Sequence, residues 1–178
     1  LDDGRILCPS SSEHAGWQVH LEVTRDFKTW EVVGPLNDPN ALGVIQPTIL
    51  TYPDGKLQML CRTRGQGFIA QSWSPDGGRT WDEMTLLSLP NPNSGLDAVT
   101  LRDGRQLLVF NNTPKGRTPL NLALSRDGRD WQVVLTLEDQ PGEYSYPAII
   151  QTADGRVHTT YTHRRQTIKH VVLDPAKL

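Results

Sequence analysis

The chain has 178 residues, a formal net charge of −2 and charged side chains at 21 % of positions. No basic block is present to meet nucleic-acid phosphates, and the apolar runs are too short for a membrane-crossing helix, so neither partner is expected. With 13 Pro, 15 Gly and no sustained helical apolar period, the composition points to a single all-β domain.

In chain order, Leu1-Asp2-Asp3-Gly4 reads as a hairpin turn, not a leader peptide. Strands are predicted at Arg5–Ser10, Gln18–Val23 and Glu31–Val33, a unit over residues 1–40 that lacks its innermost strand. A complete four-stranded unit is expected over 41–88, opening at Gln46–Leu50 and closing near Met84–Leu87. Another is expected over 89–139, from Gly95–Val99 to Val133–Leu135. The last, over 140–178, has strands at Pro147–Ile150, Val157–Tyr161 and Ile168–Leu173 but no fourth, giving 14 strands in all. Cys8 and Cys61 both fall in strand patterns and read as free thiols.

Two turn motifs keep one beat through these units. Asp-Gly recurs at Asp3, Asp54, Asp103 and Asp154, spaced 51, 49 and 51 residues apart, between apolar runs. A longer motif, Ser74-Pro75-Asp76-Gly77-Gly78-Arg79-Thr80-Trp81, has weaker copies at Thr24–Trp30 and Ser125–Trp131. Asp-Gly is a strong hairpin signal, and the Ser, Thr and Asp side chains can bond turn amides while Trp30, Trp81 and Trp131 pack between sheets. Four-stranded units of about 50 residues in series read as the blades of a β-propeller. A ring needs at least four complete blades, so the expected partner is the remaining part of a longer propeller, or else a second copy of the chain.

One register carries equivalent strand ends to one face of such a ring. It gathers Ser11-Ser12-Glu13, Arg62-Thr63-Arg64, Asn111-Asn112-Thr113 and Thr162-His163-Arg164, with Asp97 on an inner strand nearby. This polar convergence suggests a glycan site with arginines for an acidic group. Trp17, beside Glu13 and His14, could stack on a sugar. The competing reading is that these residues pair with surface carboxylates or satisfy loop backbone. The histidines have no metal-ligand spacing, and neither metal nor cofactor is expected. Asn111-Asn112-Thr113 is formally a glycosylation sequon.

The Ser-x-Asp-x-Gly-x-Thr-Trp pattern at Ser74–Trp81 is an Asp-box, and the chain resembles the sialidase (neuraminidase) superfamily, in particular the BNR-repeat sialidase-like proteins. Leu89–Gly95, Gly142–Pro147 and Ile168–Pro175 share in the resemblance. It implies a six-bladed propeller of which this is about half, an anionic sugar as ligand, and a secreted or periplasmic location. It also implies that Asp-boxes are structural, on hairpins away from the site. Sialidases hold the substrate carboxylate with three arginines and use a Tyr nucleophile activated by a Glu, with an Asp acid/base. Arg62, eight residues after Asp54, matches the second arginine, and Arg117, opening Arg117–Ser125, matches the third. The first arginine and the acid/base Asp belong to earlier blades.

The nucleophile is left between Tyr144, which is followed by Ser, and Tyr146, which stands eight before Asp154. At the place of the activating Glu, eight before Asp54, stands Gln46, which cannot act as a base; Glu13 or Glu143 could replace it. Three functions follow: a sialidase-like exo-glycosidase, a lyase or hydrolase of uronic-acid glycans, or a non-catalytic carbohydrate-binding propeller. The 178-residue chain alone is expected to turn over little or no substrate.

Overall fold

The computed structural model describes residues 1–178 and contains fourteen strands in four antiparallel sheets. The first sheet is β1 (Ile6–Ser12), β2 (Gln18–Thr24) and β3 (Glu31–Val33); the second is β4 (Val44–Thr51), β5 (Leu57–Thr63), β6 (Phe68–Ser74) and β7 (Thr85–Pro90). The third is β8 (Asp97–Thr100), β9 (Gln106–Phe110), β10 (Leu120–Ser125) and β11 (Trp131–Glu138); the fourth is β12 (Tyr144–Gln151), β13 (Val157–His163) and β14 (Thr167–Leu173). Strand order within each sheet follows the chain, and β4, β8 and β12 lie side by side as the inner strands of a fan.

The Asp-Gly hairpins form as the sequence predicts, with one difference. Only the glycine takes positive φ, as at Gly55 (79°), Gly104 (84°) and Gly155 (85°). The turn is a Tyr52–Gly55 type closed by Gly55 N–H donating to the Tyr52 carbonyl at 3.0 Å, and the Asp is its third residue. The Asp carboxylate instead accepts the amide two residues on, from Lys56, Arg105 and Arg156 at 3.1, 3.1 and 3.2 Å. Asp thus closes the turn with its side chain, which leaves left-handed backbone to the residue without a Cβ.

Three apolar layers separate the four sheets. Val19, Leu21 and Val23 meet Val44, Met59 and Cys61; Leu50, Leu60 and Ile69 meet Ala98, Leu108 and Phe110; Leu120 and Leu122 meet Tyr144, Ile149 and Tyr161. The middle sheets therefore bury both faces, and β5 and β9 are buried almost along their whole length without alternation. Each fully buried Leu or Phe in these layers contributes about 1.5–3 kcal/mol. At the ends of the fan one face stays bare: Ile150 and Ile168 are 57 % and 78 % exposed on the last sheet.

Trp81 and Trp131 pack against the layer that precedes their own sheet, and each indole N–H donates to a turn carbonyl, Gly78 at 3.2 Å and Gly128 at 3.0 Å. Trp30 does not follow them. It is 48 % exposed, because no sheet of this chain lies on that side of β1–β3. Both cysteines are free; Cys61 is buried, which pushes its thiol up, and Cys8 is half-buried.

Candidate functional site

Chain direction places the starts of β4, β8 and β12 and the ends of β5, β9 and β13 at one rim, opposite the Asp-boxes. At that rim β4 and β12 each carry a bulge, between Ile45 and Thr48 and between Ser145 and Ala148. Each bulge contains an X-Pro pair, Gln46-Pro47 and Tyr146-Pro147. Proline has no N–H for the ladder, so the extra residue falls where a bond is already lost. Both residues before the proline take positive φ, 54° at Gln46 and 50° at Tyr146, and both are exposed at the rim. These bulges begin β4 and β12 two and three residues earlier than Gln46 and Pro147, where the sequence suggested the strands start.

Gly95 occupies the same place ahead of β8. A Cβ there would stand 3.3 Å from both Gln46 Oε1 and Tyr146 Cδ1, so its bare backbone lets Gln46 and Tyr146 approach across the centre of the fan. The signal was in the sequence, since Gly95 stands eight before Asp103 as Gln46 and Tyr146 do before their own turns.

Arg62 and Arg117 converge on Tyr146. The Arg117 Cζ lies 5.0 Å from the Tyr146 ring centroid. Its hydrogen-bonding reach and charge hold the Tyr146 phenol below its ordinary value of 10.0, and the Arg62 charge adds to the effect. Arg62 is itself oriented by Asn93 Oδ1, which accepts from Nε at 2.6 Å, and by Gln46 Oε1, which accepts from Nη1 at 3.2 Å. Its Cζ also lies 5.3 Å from the Trp17 ring centroid, and Arg64 lies over the same ring at 5.8 Å. Trp17 therefore serves as a stacking floor for two guanidinium groups.

Glu143 is the acid of this cluster. Its carboxylate takes Arg165 Nε at 2.7 Å and lies 3.5 Å from Arg117 Nη1. Arg165 first, and Arg117 after it, keep it below the usual carboxylate range. Even so, Arg117 Nη1 is buried without a hydrogen-bond partner. The Glu143 carboxylate therefore pairs with this guanidinium by charge rather than by a hydrogen bond.

Several expected site residues lie elsewhere. Tyr144 is fully buried in the layer between the third and fourth sheets, its hydroxyl facing Arg164 Nε at 3.4 Å, so only Tyr146 presents a phenol to the rim. Asp97 is a structural bracket: Oδ1 accepts from Thr48 Oγ1 at 2.8 Å and Ala98 N–H at 2.9 Å, and Oδ2 from Ile149 N–H at 2.9 Å. His163 packs between the third and fourth sheets, 5.2 Å from the Tyr144 ring and 4.0 Å from Glu138. Glu13 is exposed in the β1–β2 connection, with no ion pair to Arg62, Arg64 or Arg117. Asn111 is buried and its Nδ2 donates to the Pro119 and Tyr144 carbonyls at 2.9 and 3.1 Å, so the sequon nitrogen is already committed. Sequence reasoning missed Asn93 and Arg165, which no register marked.

The model of the BNR repeat-like domain matches residues 1–159. The chain belongs to that family. No curated protein matches it. Among solved structures, the BNR repeat-like chain is similar to the intramolecular trans-sialidase from Ruminococcus gnavus in complex with oseltamivir carboxylate, at TM-score 0.78 and 23 % identity over 98 % of this chain and 41 % of that one. It is similar to NanB sialidase from Streptococcus pneumoniae at TM-score 0.77 and 17 % identity, over 98 % of this chain and 29 % of the other. A Dyadobacter fermentans protein of unknown function gives TM-score 0.82 at 21 % identity, covering 98 % of this chain and 51 % of that protein. The BNR repeat-like chain thus spans well under two thirds of the structures it resembles, and what it shares with them is a partial sialidase-like β-propeller.

Proposed function

We propose that this chain supplies the arginine face of an acidic-sugar site in a sialidase-like exo-glycosidase. The observation that carries the reading is the bracketing of Tyr146 by Arg117 and Arg62. Two fixed guanidinium groups suit a carboxylate on the sugar, and a phenol between them is stabilised as its anion. As a retaining nucleophile, the Tyr146 oxygen would attack the anomeric carbon as the glycosidic C–O bond breaks, and water would later release the sugar. Gln46 cannot take the phenol proton. Glu143, which shares Arg117 with Tyr146, is the carboxylate assigned to that task. The remaining blades, or a second copy, would supply the rest of the pocket and cover the bare sheet faces.

The test is turnover of a fluorogenic sialoside by the full-length polypeptide, compared with Tyr146→Phe. We expect a loss of about 100-fold or more in kcat for the variant. Wild-type turnover left intact by Tyr146→Phe would overturn the assignment. Gln46 favours a second reading, a lyase or hydrolase of uronic-acid glycans in which its amide faces the sugar carboxylate. Cleavage of a glucuronoside, with no action on sialosides, would select it. Sialic acid that raises Tm without being released from any glycoside would instead mark a binding propeller.

A further inference from the structure

The arginines do not form one cluster around one point; they form an arc. Arg117 lies against Tyr146, Arg62 reaches both Tyr146 and Trp17, and Arg64 reaches Trp17 alone. Arg64 thus has Trp17 as its aromatic neighbour, whereas Arg117 has Tyr146.

Arg64 also differs from its neighbours in what holds it. Arg62 is tied by Asn93 and Gln46, and Arg117 faces Glu143. The Arg64 guanidinium enters no salt bridge or hydrogen bond, and its residue is exposed. Yet it is placed, not free. Its backbone N–H donates to the Gly43 carbonyl at 3.0 Å, and its side chain rests on the indole it shares with Arg62. Gly43 itself passes between these groups, where a Cβ would be 3.4 Å from Trp17 Cβ and 3.7 Å from Arg64 Cβ. Two cations held within 5.3 and 5.8 Å of one ring centroid repel each other, and an anion bound at Arg64 relieves that repulsion. Stacking removes much of the rotamer freedom that an exposed arginine would otherwise lose on binding.

We propose that Arg64, on the Trp17 floor, is a second anion subsite, so that the site takes a glycan with two acidic groups: a carboxylate at Arg62 and Arg117, and a second carboxylate or a sulfate at Arg64. This rests on the acidic-sugar reading above. It adds a requirement that a single-carboxylate site does not have.

The experiment measures Kd by calorimetry in the full-length polypeptide carrying Tyr146→Phe, so that no ligand is hydrolysed. The probes are N-acetylneuraminic acid, α2,8-linked disialic acid and a sialyllactose bearing one sulfate. The two dianionic probes are expected to bind at least about tenfold tighter than the monoanion, and the gap should narrow as salt rises. Arg64→Gln should bring both dianions to that variant's own affinity for the monoanion, while Arg64→Lys keeps part of the gap. Tighter binding of only one dianion identifies the second group as carboxylate or sulfate. Equal affinity for all three probes, or an equal loss for all three in Arg64→Gln, overturns the subsite while the acidic-sugar reading stands. If no probe binds, the acidic-sugar reading fails and the subsite falls with it.

Discussion

At the scale of single residues, Tyr146 is the phenol that the rim arginines act on. Its phenol is depressed in the folded chain by Arg117 and Arg62, so its anion is favoured over that of an ordinary tyrosine. The stabilisation this gives is complete above the unfolded value near 10 and is lost as pH falls through the lower folded value. Absorbance at 295 nm should therefore show one phenol titrating early in the wild type and missing in Tyr146→Phe; superimposable curves would count against the arginine pairing. Gly95 gives a second test. Placing a methyl 3.3 Å from Gln46 and Tyr146 requires one of them to retreat by a few tenths of an ångström. Gly95→Ala should weaken binding of an acidic sugar several-fold while moving Tm by only a few degrees, and a variant with intact affinity would show that the rim is not closed at this point.

Elements are where the sequence was most readable. Asp-Gly and the Asp-box mark the hairpins because each encodes its own hydrogen bonds. Ser74 Oγ accepts from Gly78 N–H at 2.7 Å, and Asp76 Oδ1 accepts from the Arg79 and Thr80 amides at 3.0 and 2.9 Å. The third copy repeats this, with Ser125 Oγ accepting from Gly128 N–H at 2.8 Å and Asp127 Oδ1 from Arg129 and Asp130 N–H at 2.9 Å each. Such motifs act within a few residues and need no partner sheet. Tyr144 and Asp97 were misread because their roles depend on the neighbouring sheet, one as filling and one as a cross-strand acceptor; register alone does not tell a rim position from an interlayer one. Tyr146 and Gln46 share one register because the bulge repeats in both sheets.

The same loops make a prediction about acid. Bonds from the Thr80 amide and hydroxyl, together with those from Ser74 and Arg79, lower the Asp76 carboxyl from 3.8 to about 2, and the Thr29 and Lys28 amides do the same for Asp26. Both carboxyls are depressed in the folded state, so their contribution is full above about 4 and is lost as pH falls towards 2. Asp76→Asn should flatten the loss of Tm between pH 4 and 2, as followed by circular dichroism. An unchanged acid profile would mean that the turn survives without its carboxylate.

At the scale of the molecule, the fan has two unlike ends and a shared centre. The bare faces at Trp30 and Ile168 belong to the outermost sheets, whereas β4, β8 and β12 meet at the rim that holds the arginines. In a serial array of sheets, stability is ordinarily a sum of unit terms and nearest-neighbour terms, and the array can come apart from either end. The carboxylate of Asp97 does not respect that scheme. It sits on the third sheet and holds the second through Thr48 and the fourth through Ile149. Asp97→Asn keeps one acceptor oxygen for two amides, so either Ala98 or Ile149 loses its acceptor, at a cost of about 1–3 kcal/mol. It should also lower the urea m-value as the sheets separate into independent steps. The bracket ties the three sheets together, and the two arginines that face Tyr146 from different sheets inherit a common frame: a shift of one sheet is passed to the others through Asp97.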